Sequence, residues 1–457
     1  MKTFSSKELD AESAQSLGPN FCWGVATAAF QIEGAAREDG RGESIWDRFS
    51  HTPGKTRNGD TGDVACDHYH RMPHDVRLMA SLGLDAYRFS LAWPRIQPLG
   101  RGAWNAKGVD FYDRLIDELE KHGLQAHATL YHWDLPQALQ DAGGWASRDT
   151  ALRFADYAEF VGRRWGNRLR TLATHNEPWC TAHLGHGIGK FAPGLADERL
   201  ERQVAHHLLL SHGLALQRLR AQPLRCDLGI VLNMSCATAA TPMPEDLALA
   251  RRQYGQLVRW YLEPLLLGRY PQEPGLPALP DIEPGDMACI RAPLDFLGVN
   301  YYNRMWASHQ GTPPPALLGV SDMGWETYPE GLRELLLTLY REYPLPPIYI
   351  TENGMACTDR IENDEVHDPQ RIDYVRRHLQ ALAQAKQEGL DVRGYFYWSL
   401  MDNFEWDSGY AKRFGLVHVN YATQQRTLKS SAHWYAQTAS RQRRLAAQAR
   451  VEESAHG

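Results

Sequence analysis

The chain has 457 residues, of which 43% are hydrophobic and 23% are charged, and its formal net charge is -6 at pH 7. This composition is typical of a globular protein with a large core. The slight acidity argues against nucleic acid as a partner, because a phosphate-binding surface needs an excess of basic residues. No stretch of the sequence approaches the ~20 apolar residues that a membrane span requires.

The seven cysteines are scattered and include no CxxC pair, so they do not indicate a disulfide framework. The segment Met1–Pro19 contains charged residues such as Lys2 and Glu12 and has no apolar stretch. It therefore does not match a secretory signal peptide. From both observations we expect a cytoplasmic protein.

Eight short apolar runs alternate with longer segments of helical periodicity. The predicted strands are Phe21–Phe30, Leu84–Leu91, Gln125–Tyr131, Thr171–His175, Leu228–Met234, Phe296–Tyr301, Ile348–Ile350 and Gly394–Trp398. The predicted helices include Lys107–His122, Arg148–Trp165, Glu330–Tyr343, Asp368–Gln387 and Ser431–Ala446. This alternation predicts an α/β protein with a single (β/α)8 barrel, the TIM barrel, enlarged by long βα loops.

We expect one domain over residues 1–457, with residues 1–18 and 447–457 as flexible termini. A division into two domains is the alternative, but no Gly/Ser-rich or Pro-rich linker divides the chain. The proline-rich stretches Pro271–Pro284 and Pro313–Pro315 are interpreted as long loops of the barrel.

Polar and aromatic residues follow every predicted strand at its carboxyl end, where the active sites of such barrels are assembled. In chain order these residues are Gln31 and Glu33, Arg88 and Trp93, His132 and Trp133, Asn176 and Glu177, Asn233, Asn300 and Tyr302, Glu352, and Trp398 with Asn403, Glu405 and Trp406. Each alone has a plainer interpretation, as a hydrogen-bonded core group or a packing aromatic. Their recurrence at eight strands predicts one shared site.

The types of side chain in this predicted site suggest a carbohydrate ligand. The chain has 14 Trp and 20 Tyr, whose flat faces stack on sugar rings, while amides, imidazoles and carboxylates bind the hydroxyl groups. A pair of carboxylates can supply the general acid and the nucleophile that cleave a glycosidic bond.

Eight motifs resemble those of glycoside hydrolase family 1, the retaining β-glucosidases and β-glycosidases. They are FCWGVATAAFQIEGA, YRFSLAWPRI, YHWDLPQAL, THNEPW, GVNYYNR, ITENG, YFYWSLMDNFEW and YAKRFGLVHV, and the resemblance extends over about residues 21–434. The resemblance implies hydrolysis of terminal non-reducing β-D-glucosyl residues through a covalent glycosyl-enzyme, with β-galactosyl and β-fucosyl residues as further substrates. It implies small β-glycosides and short, cellobiose-like oligosaccharides as ligands, a place in cellulose and polysaccharide degradation, and neither cofactor nor metal.

The resemblance also implies a role for each site residue. Glu177 is the implied acid/base and Glu352 the implied nucleophile. The residues implied to bind the sugar are Gln31, His132, Asn176, Tyr302, Trp398, Glu405 and Trp406, with Trp398 stacking under the ring. Arg88 and Tyr302 are implied to hold the nucleophile, and Asn300 to neighbour the acid/base.

The two catalytic carboxyls need different protonation states. A guanidinium and a phenol hydrogen bond favour the charged form of Glu352, whereas the residues beside Glu177 in sequence are uncharged. We expect the carboxyls to lie ~5 to 5.5 Å apart, as in retaining enzymes. At that distance we expect the charge of Glu352 to be the chief reason that Glu177 stays protonated.

Three features suggest other possibilities. His175 stands where the family more often has an apolar residue, which could alter the surroundings of the acid/base. The cluster Cys66, Asp67, His68 and His70 could suggest a metal, although these residues are crowded in sequence and a structural role is favoured. Gly187, Gly189 and Gly194 do not form a GxGxxG motif after a strand, so nucleotide binding has little support.

Two alternative functions remain open. A 6-phospho-β-glycosidase of the same family would lack the Glu405–Trp406 pair and would place a Tyr where this chain has Phe414, although Lys412 is present. We expect Glu405 to repel a 6-phosphate. A non-catalytic sugar-binding barrel is disfavoured because both glutamates are present. For the aglycone wall, Trp179, Asn233 and Trp325 are candidates.

Overall fold

The computed structural model describes residues 8–311, 314–363 and 365–456, and side chains up to residue 448. Eight parallel strands close into a barrel in which each strand pairs with its neighbours in chain order and the last pairs with the first. Strands β1 to β8 are Cys22–Ala26, Ala86–Ser90, Gln125–Tyr131, Thr171–Asn176, Asp227–Asn233, Phe296–Asn300, Ile348–Asn353 and Val392–Trp398. The predicted (β/α)8 barrel is confirmed.

The helices connect successive strands around the outside. The long ones are His68–Ser81, Ala106–Lys121, Arg148–Trp165, Glu198–Arg220, Pro244–Tyr254, Pro329–Glu342, Pro369–Gln387 and Ser430–His456. Shorter helices are Ala11–Leu17, Ala29–Ile32, Ile45–His51, Trp93–Ile96, Gln137–Asp141, Trp260–Leu267 and Asp286–Ile290, and Cys180–Gly187 and Gly255–Arg259 are π-helical. Single 3-10 turns are Arg57–Gly59, Gly144–Ala146 and Trp406–Ser408.

The helices pack on the barrel through one apolar face. In Ala106–Lys121 the buried residues Phe111, Leu115 and Leu119 recur every four positions, while Lys121 at its end is exposed. The inside of the barrel is also filled, since the rings of His127 and Phe396 are 4.8 Å apart. A filled interior leaves the ends of the barrel as the places where a ligand can bind.

The first strand is shorter than predicted. The apolar run Phe21–Phe30 continues past β1, but the chain leaves the sheet after Ala26 and turns into the helix Ala29–Ile32. The backbone N–H of Ala29 donates to the hydroxyl of Ser90 at 2.8 Å instead of continuing the ladder. Hydrophobicity alone could not reveal this side-chain cap.

The seventh strand is longer than predicted. It extends from Ile348 through Asn353, because Glu352 pairs in register with Asn300 of β6. The backbone of Glu352 is therefore fixed by the sheet and not by the turn that follows it.

Of the termini expected to be flexible, the structure describes residues 8–18 and 447–456, and both segments contain helix. Their flexibility stays a prediction. Asp10 caps the helix Ala11–Leu17 by accepting from the N–H of Ser13 at 2.8 Å, and Leu9 and Leu17 are 2% and 1% exposed. At the other end, the final helix continues to His456. Residues 1–7 and 457 lie outside the described residues.

Three small two-stranded sheets lie in the loops. They pair Ala237–Ala239 with Met305–Ala307, Arg360–Glu362 with Glu365–His367, and Val417–Asn420 with Gln425–Leu428. The proline-rich stretch 271–284 has neither helix nor strand, as predicted; of Pro313–Pro315, Pro313 lies outside the described residues.

Within the part of the chain that the structure describes, no helix is both long and apolar enough to cross a membrane.

Candidate active site

The nucleophile predicted from the sequence, Glu352, is buried near the carboxyl end of β7 and is 3% exposed. Arg88 of β2 donates from Nη1 to its Oε1 at 2.7 Å, and the hydroxyl of Tyr302 donates to its Oε2 at 2.6 Å. Burial raises the pKa of Glu352, while Arg88 and Tyr302 act in the opposite direction. Both oxygens therefore face a donor, and one of the two donors carries a full positive charge.

The predicted acid/base, Glu177, follows β4 directly and is 6% exposed. Its Oε1 accepts from Nδ2 of Asn300 at 2.6 Å, and its Oε2 accepts from the thiol of Cys180 at 3.0 Å. Burial first, and the charge of Glu352 second, raise the pKa of Glu177 to about 7. The expectation that the charge of Glu352 is the chief cause is wrong, because loss of hydration on burial contributes more.

Asn176 lies between the side chains that hold the carboxyls of Glu352 and Glu177. Its Oδ1 accepts from Arg88 at 2.7 Å and from Asn300 at 3.1 Å. Because a guanidinium only donates, the amide orientation of Asn176 is fixed, and its Nδ2 donates to Nε2 of His132 at 3.1 Å. His132 is therefore neutral with its proton on Nδ1, in agreement with burial lowering its pKa well below the usual value.

Gln31 and Glu405 form the second part of the site. Nε2 of Gln31 donates to Oδ1 of Asn403 at 3.0 Å and to the carbonyl of Phe404 at 2.9 Å, with Oε2 of Glu405 at 3.4 Å. Burial first, and the charge of Glu352 second, raise the pKa of Glu405 to about 8. At neutral pH this carboxyl is mostly protonated, so it can both donate to and accept from a hydroxyl group.

Two buried polar atoms of the site have no hydrogen-bond partner among the described residues, namely Oε1 of Gln31 and Nδ1 of His132. Buried polar groups in folded proteins are nearly always paired. An acceptor and a donor left over in one site are what the hydroxyl groups of a sugar can satisfy.

Aromatic rings form a layered wall beside these polar groups. The ring of His132 lies nearly parallel to those of Trp398 and Trp406, with centroids 5.8 and 5.9 Å away. Trp406 also contacts Trp133 and Trp46, each with a centroid separation of 4.5 Å. Trp406 is therefore fixed by packing on several sides, which gives the wall a rigid shape. The Trp398–Ser399 peptide is cis.

The backbone at this end of the barrel is unusual. Trp133, Glu177 and Trp406 are non-glycine residues with φ of 78°, 49° and 48°. Such left-handed conformations cost free energy and cluster at functional sites. Three of them in one site indicate that the loops are constrained to aim particular side chains.

His175, whose role was ambiguous from the sequence, has a structural role. The ring of His175 points away from Glu177, since its Nε2 bonds the hydroxyl of Ser211 at 2.7 Å and the ring stacks on Phe154. It therefore does not alter the surroundings of the acid/base.

The side chains of the Cys66–His70 segment also turn to separate partners. Cys66 donates to the carbonyl of Asp402 at 3.1 Å, His68 pairs with Asp75 at 2.8 Å, and His70 pairs with Asp67 at 2.6 Å. Among the residues that the structure describes, no group of three potential metal ligands occurs.

Sequence reasoning missed two contacts of the site. Cys180 bonds Glu177 from the first turn of the π-helix, and Thr351 donates from its hydroxyl to Oδ1 of Asn300 at 2.7 Å. The position of Cys180, three residues after Glu177, was the only signal available, because residues at this spacing meet in a helical turn.

The candidates for the aglycone wall are less closely grouped. The ring of Trp325 lies 5.3 Å from that of Tyr302, and Asn233 ends β5 beside Asn300. Trp179 lines a separate cavity of about 500 Å³ together with His183 and Trp260.

A closed parallel barrel with two buried carboxyls at the ends of β4 and β7, and with polar and aromatic groups around them, is the arrangement expected of a glycoside hydrolase. A model of the family described as Glycosyl hydrolase family 1 matches residues 13–444. The chain belongs to this family, as its motifs predicted.

Three relatives illustrate the similarity. The "Thermostable beta-glucosidase B" of Thermobispora bispora is 51% identical over 442 residues, which cover 93% of this chain and 91% of the relative. The "Bifunctional beta-D-glucosidase/beta-D-fucosidase" of Bifidobacterium breve is 45% identical over 449 residues, covering 91% of this chain and 96% of the relative. The solved structure of a β-glucosidase from Thermotoga maritima in complex with glucoimidazole is 43% identical, with a TM-score of 0.89 and coverage of 93% of this chain and 98% of that one.

Proposed function

We propose that the protein is a retaining β-glucosidase that removes terminal β-D-glucosyl residues from small β-glycosides. The observation that carries the proposal is the unequal pair of buried carboxyls: Glu352 bonds a guanidinium, whereas Glu177 bonds only neutral donors. One carboxyl is thereby suited to act as a nucleophile and the other to hold a proton.

The reaction follows in two displacements. Glu352 attacks the anomeric carbon while Glu177 transfers its proton to the glycosidic oxygen, so that the aglycone departs and a glycosyl ester remains. The ester carries no charge, and the pKa of Glu177 falls. Glu177 then takes a proton from water, which attacks the anomeric carbon and releases Glu352.

The remaining residues bind and orient the sugar in this proposal. Gln31 and Glu405 bind hydroxyl groups on one side and His132 and Asn176 on the other, while Trp398 and Trp406 pack against the ring. Arg88 and Tyr302 orient the nucleophile, and Asn300 orients the acid/base. Asn233 and Trp325 contact the aglycone in this proposal, whereas Trp179 faces a cavity whose lining residues include neither Glu177 nor Glu352.

Glucosides are the favoured substrates in this proposal, and galactosides and fucosides are slower ones. The name of the Bifidobacterium relative, which pairs glucosidase with fucosidase activity, supports this range. Short oligosaccharides such as cellobiose are ligands of the same site in this proposal. A cytoplasmic location agrees with the free cysteines. Degradation of cellulose fragments is the corresponding role.

Charge repulsion by Glu405 is a weaker barrier to a 6-phosphate than the sequence predicted. Because the pKa of Glu405 is raised to about 8, its charge does not repel a phosphate strongly at neutral pH. Instead, the neighbouring cations are already engaged: Lys190 lies 3.8 Å from Asp407, and Lys412 donates to the carbonyl of Asp322. Accommodating a phosphate would require breaking these contacts, which favours unphosphorylated sugars.

The test is the rate of hydrolysis of p-nitrophenyl β-glucoside, β-galactoside, β-fucoside and β-glucoside 6-phosphate. We expect the glucoside to give the largest kcat/KM of the four, and Glu352→Gln to abolish hydrolysis of all of them. Preference for the 6-phosphate would contradict the substrate class. Sugar binding without hydrolysis by the unmodified protein would identify a non-catalytic barrel.

A further inference from the structure

Cys180 lies against the acid/base, and no step of the reaction above uses it. Its thiol is 3.0 Å from Oε2 of Glu177, and its backbone N–H donates to the carbonyl of the same residue at 2.9 Å. Cys180 is buried, and it is the first residue of the π-helix Cys180–Gly187. The contact is therefore built into the turn that begins at Glu177.

The other oxygen of Glu177 is restricted to an acceptor role. Asn300 presents Nδ2 to Oε1 of Glu177 at 2.6 Å and to Oδ1 of Asn176 at 3.1 Å, while its own Oδ1 accepts from Thr351. Flipping the amide of Asn300 would put two oxygens face to face, so Nδ2 always donates. A proton on Oε1 of Glu177 would occupy one of its lone pairs and make that oxygen a much weaker acceptor for this N–H group.

The hydrogen bond from Asn300 therefore favours Oε2 of Glu177, the oxygen that Cys180 contacts, as the site of the proton in the acid form. A thiol can rotate about its Cβ–S bond and can donate or accept. When Oε2 is unprotonated, the S–H group can donate to it; when Oε2 carries the proton, that hydrogen bond is lost or weakened. The contact is thus stronger in the base form than in the acid form.

We propose that Cys180 is a positioning residue that stabilises the carboxylate form of Glu177 through its S–H group and leaves Oε2 free to carry the catalytic proton. This inference rests on the proposed function, because it assigns Glu177 the roles of acid and base. Burial and the charge of Glu352 favour the neutral form, and the bonds from Cys180 and Asn300 oppose them. A group that must change its protonation state during turnover benefits from such a balance.

The test compares the pH dependence of kcat/KM for p-nitrophenyl β-glucoside in the wild type, Cys180→Ala and Cys180→Ser. The alkaline limb reports the pKa of the acid in the free enzyme. Loss of a donor to the carboxylate should move this limb of Cys180→Ala to higher pH by about 0.5 to 1 unit. Cys180→Ser keeps a hydroxyl donor and should restore the limb to the wild-type position or below it.

Cys226→Ala serves as the matched control, because Cys226 is another buried free cysteine and precedes β5 at the opposite end of the barrel. Its alkaline limb should coincide with that of the wild type. A limb that is the same in Cys180→Ala and the wild type would overturn the inference, as would an equal shift in Cys180→Ala and Cys180→Ser. If Cys180→Ala does not fold, the limb of Cys180→Ser decides: a shift to higher pH contradicts the inference. Failure of the wild type to hydrolyse any glycoside would instead reject the proposed function.

Discussion

Three carboxyl groups share one buried site, and their individual partners decide which of them is charged. Glu352 bonds Arg88, whereas Glu177 and Glu405 bond neutral groups and have pKa values raised to about 7 and about 8. Burial is the largest cause of both increases, so the hydration lost on folding outweighs the repulsion from Glu352. At neutral pH the site therefore carries less negative charge than three ionised carboxylates would.

Replacing the nucleophile should separate these two causes. In Glu352→Gln we expect the pKa of Glu177 to fall, because the neighbouring charge is gone, yet to stay above the ~4.3 of an exposed glutamate because burial remains. NMR titration of labelled carboxyl carbons measures the pKa of Glu177, and the signal that disappears in Glu177→Gln identifies its resonance. A pKa at or below that of an exposed glutamate would mean that charge, and not burial, is the main cause.

The protonation state of Glu405 makes glutamine its better replacement. We expect Glu405→Gln to keep much of the activity at pH 7, because an amide also donates and accepts, whereas Glu405→Ala leaves hydroxyl groups of the sugar unpaired. The kcat/KM of the alanine variant for p-nitrophenyl β-glucoside should fall by about 10- to 100-fold, corresponding to ~1.4 to 3 kcal/mol of transition-state binding. Equal losses in the two variants would show that Glu405 acts as an anion.

At the scale of helices and strands, the sheet sets the positions of the catalytic groups and the loops set their directions. Asn176 of β4 pairs with Val231 of β5, and Glu352 of β7 pairs with Asn300 of β6, so each backbone is held by a neighbouring strand. Glu177, Trp133 and Trp406 lie beyond strand ends and adopt left-handed backbone conformations. This division explains how a rigid barrel can present side chains from many loops to one ligand.

The amino-terminal helix Ala11–Leu17 is expected to contribute to stability and not to catalysis. Leu17 is 1% exposed, so Leu17→Ala should reduce the free energy of unfolding by about 2 to 4 kcal/mol. The exposed Gln15 provides the control, and Gln15→Ala should change it by less than about 0.5 kcal/mol. Urea denaturation and kcat/KM at low temperature check both points. A loss of activity without a loss of stability would assign the helix a functional role.

The sequence revealed those features that follow from periodicity and from strand ends. Glu177 and Glu352 could be placed because the carboxyl ends of parallel strands meet at one end of a barrel. The contact of Cys180 with Glu177 could not, since it depends on the turn that follows β4, in which the N–H of Cys180 donates to the carbonyl of Glu177. The position at which β1 ends could not be predicted from the sequence either, because the Ser90 hydroxyl that binds the N–H of Ala29 lies on another strand. Such local caps and turns depend on tertiary contacts.

For the molecule as a whole, the proposed reaction uses only groups of the chain. In that proposal Glu177 transfers the protons and Glu352 is the nucleophile, so no step needs a Lewis acid. We expect activity to be unchanged after dialysis against EDTA, with kcat/KM measured before and after. A loss that Mg²⁺ or Zn²⁺ reverses would contradict this and would direct attention to the acidic and histidine residues around Asp67.

The stereochemistry of the released sugar tests the central claim most directly. Two displacements at the anomeric carbon restore the original configuration, and the carboxyls should accordingly lie ~5 to 5.5 Å apart. In a proton NMR time course of p-nitrophenyl β-glucoside hydrolysis, the first anomeric signal of the product should be that of β-glucose, with the α-anomer growing in later by mutarotation. If α-glucose appears first, the enzyme inverts, and Glu352 is a base and not a nucleophile.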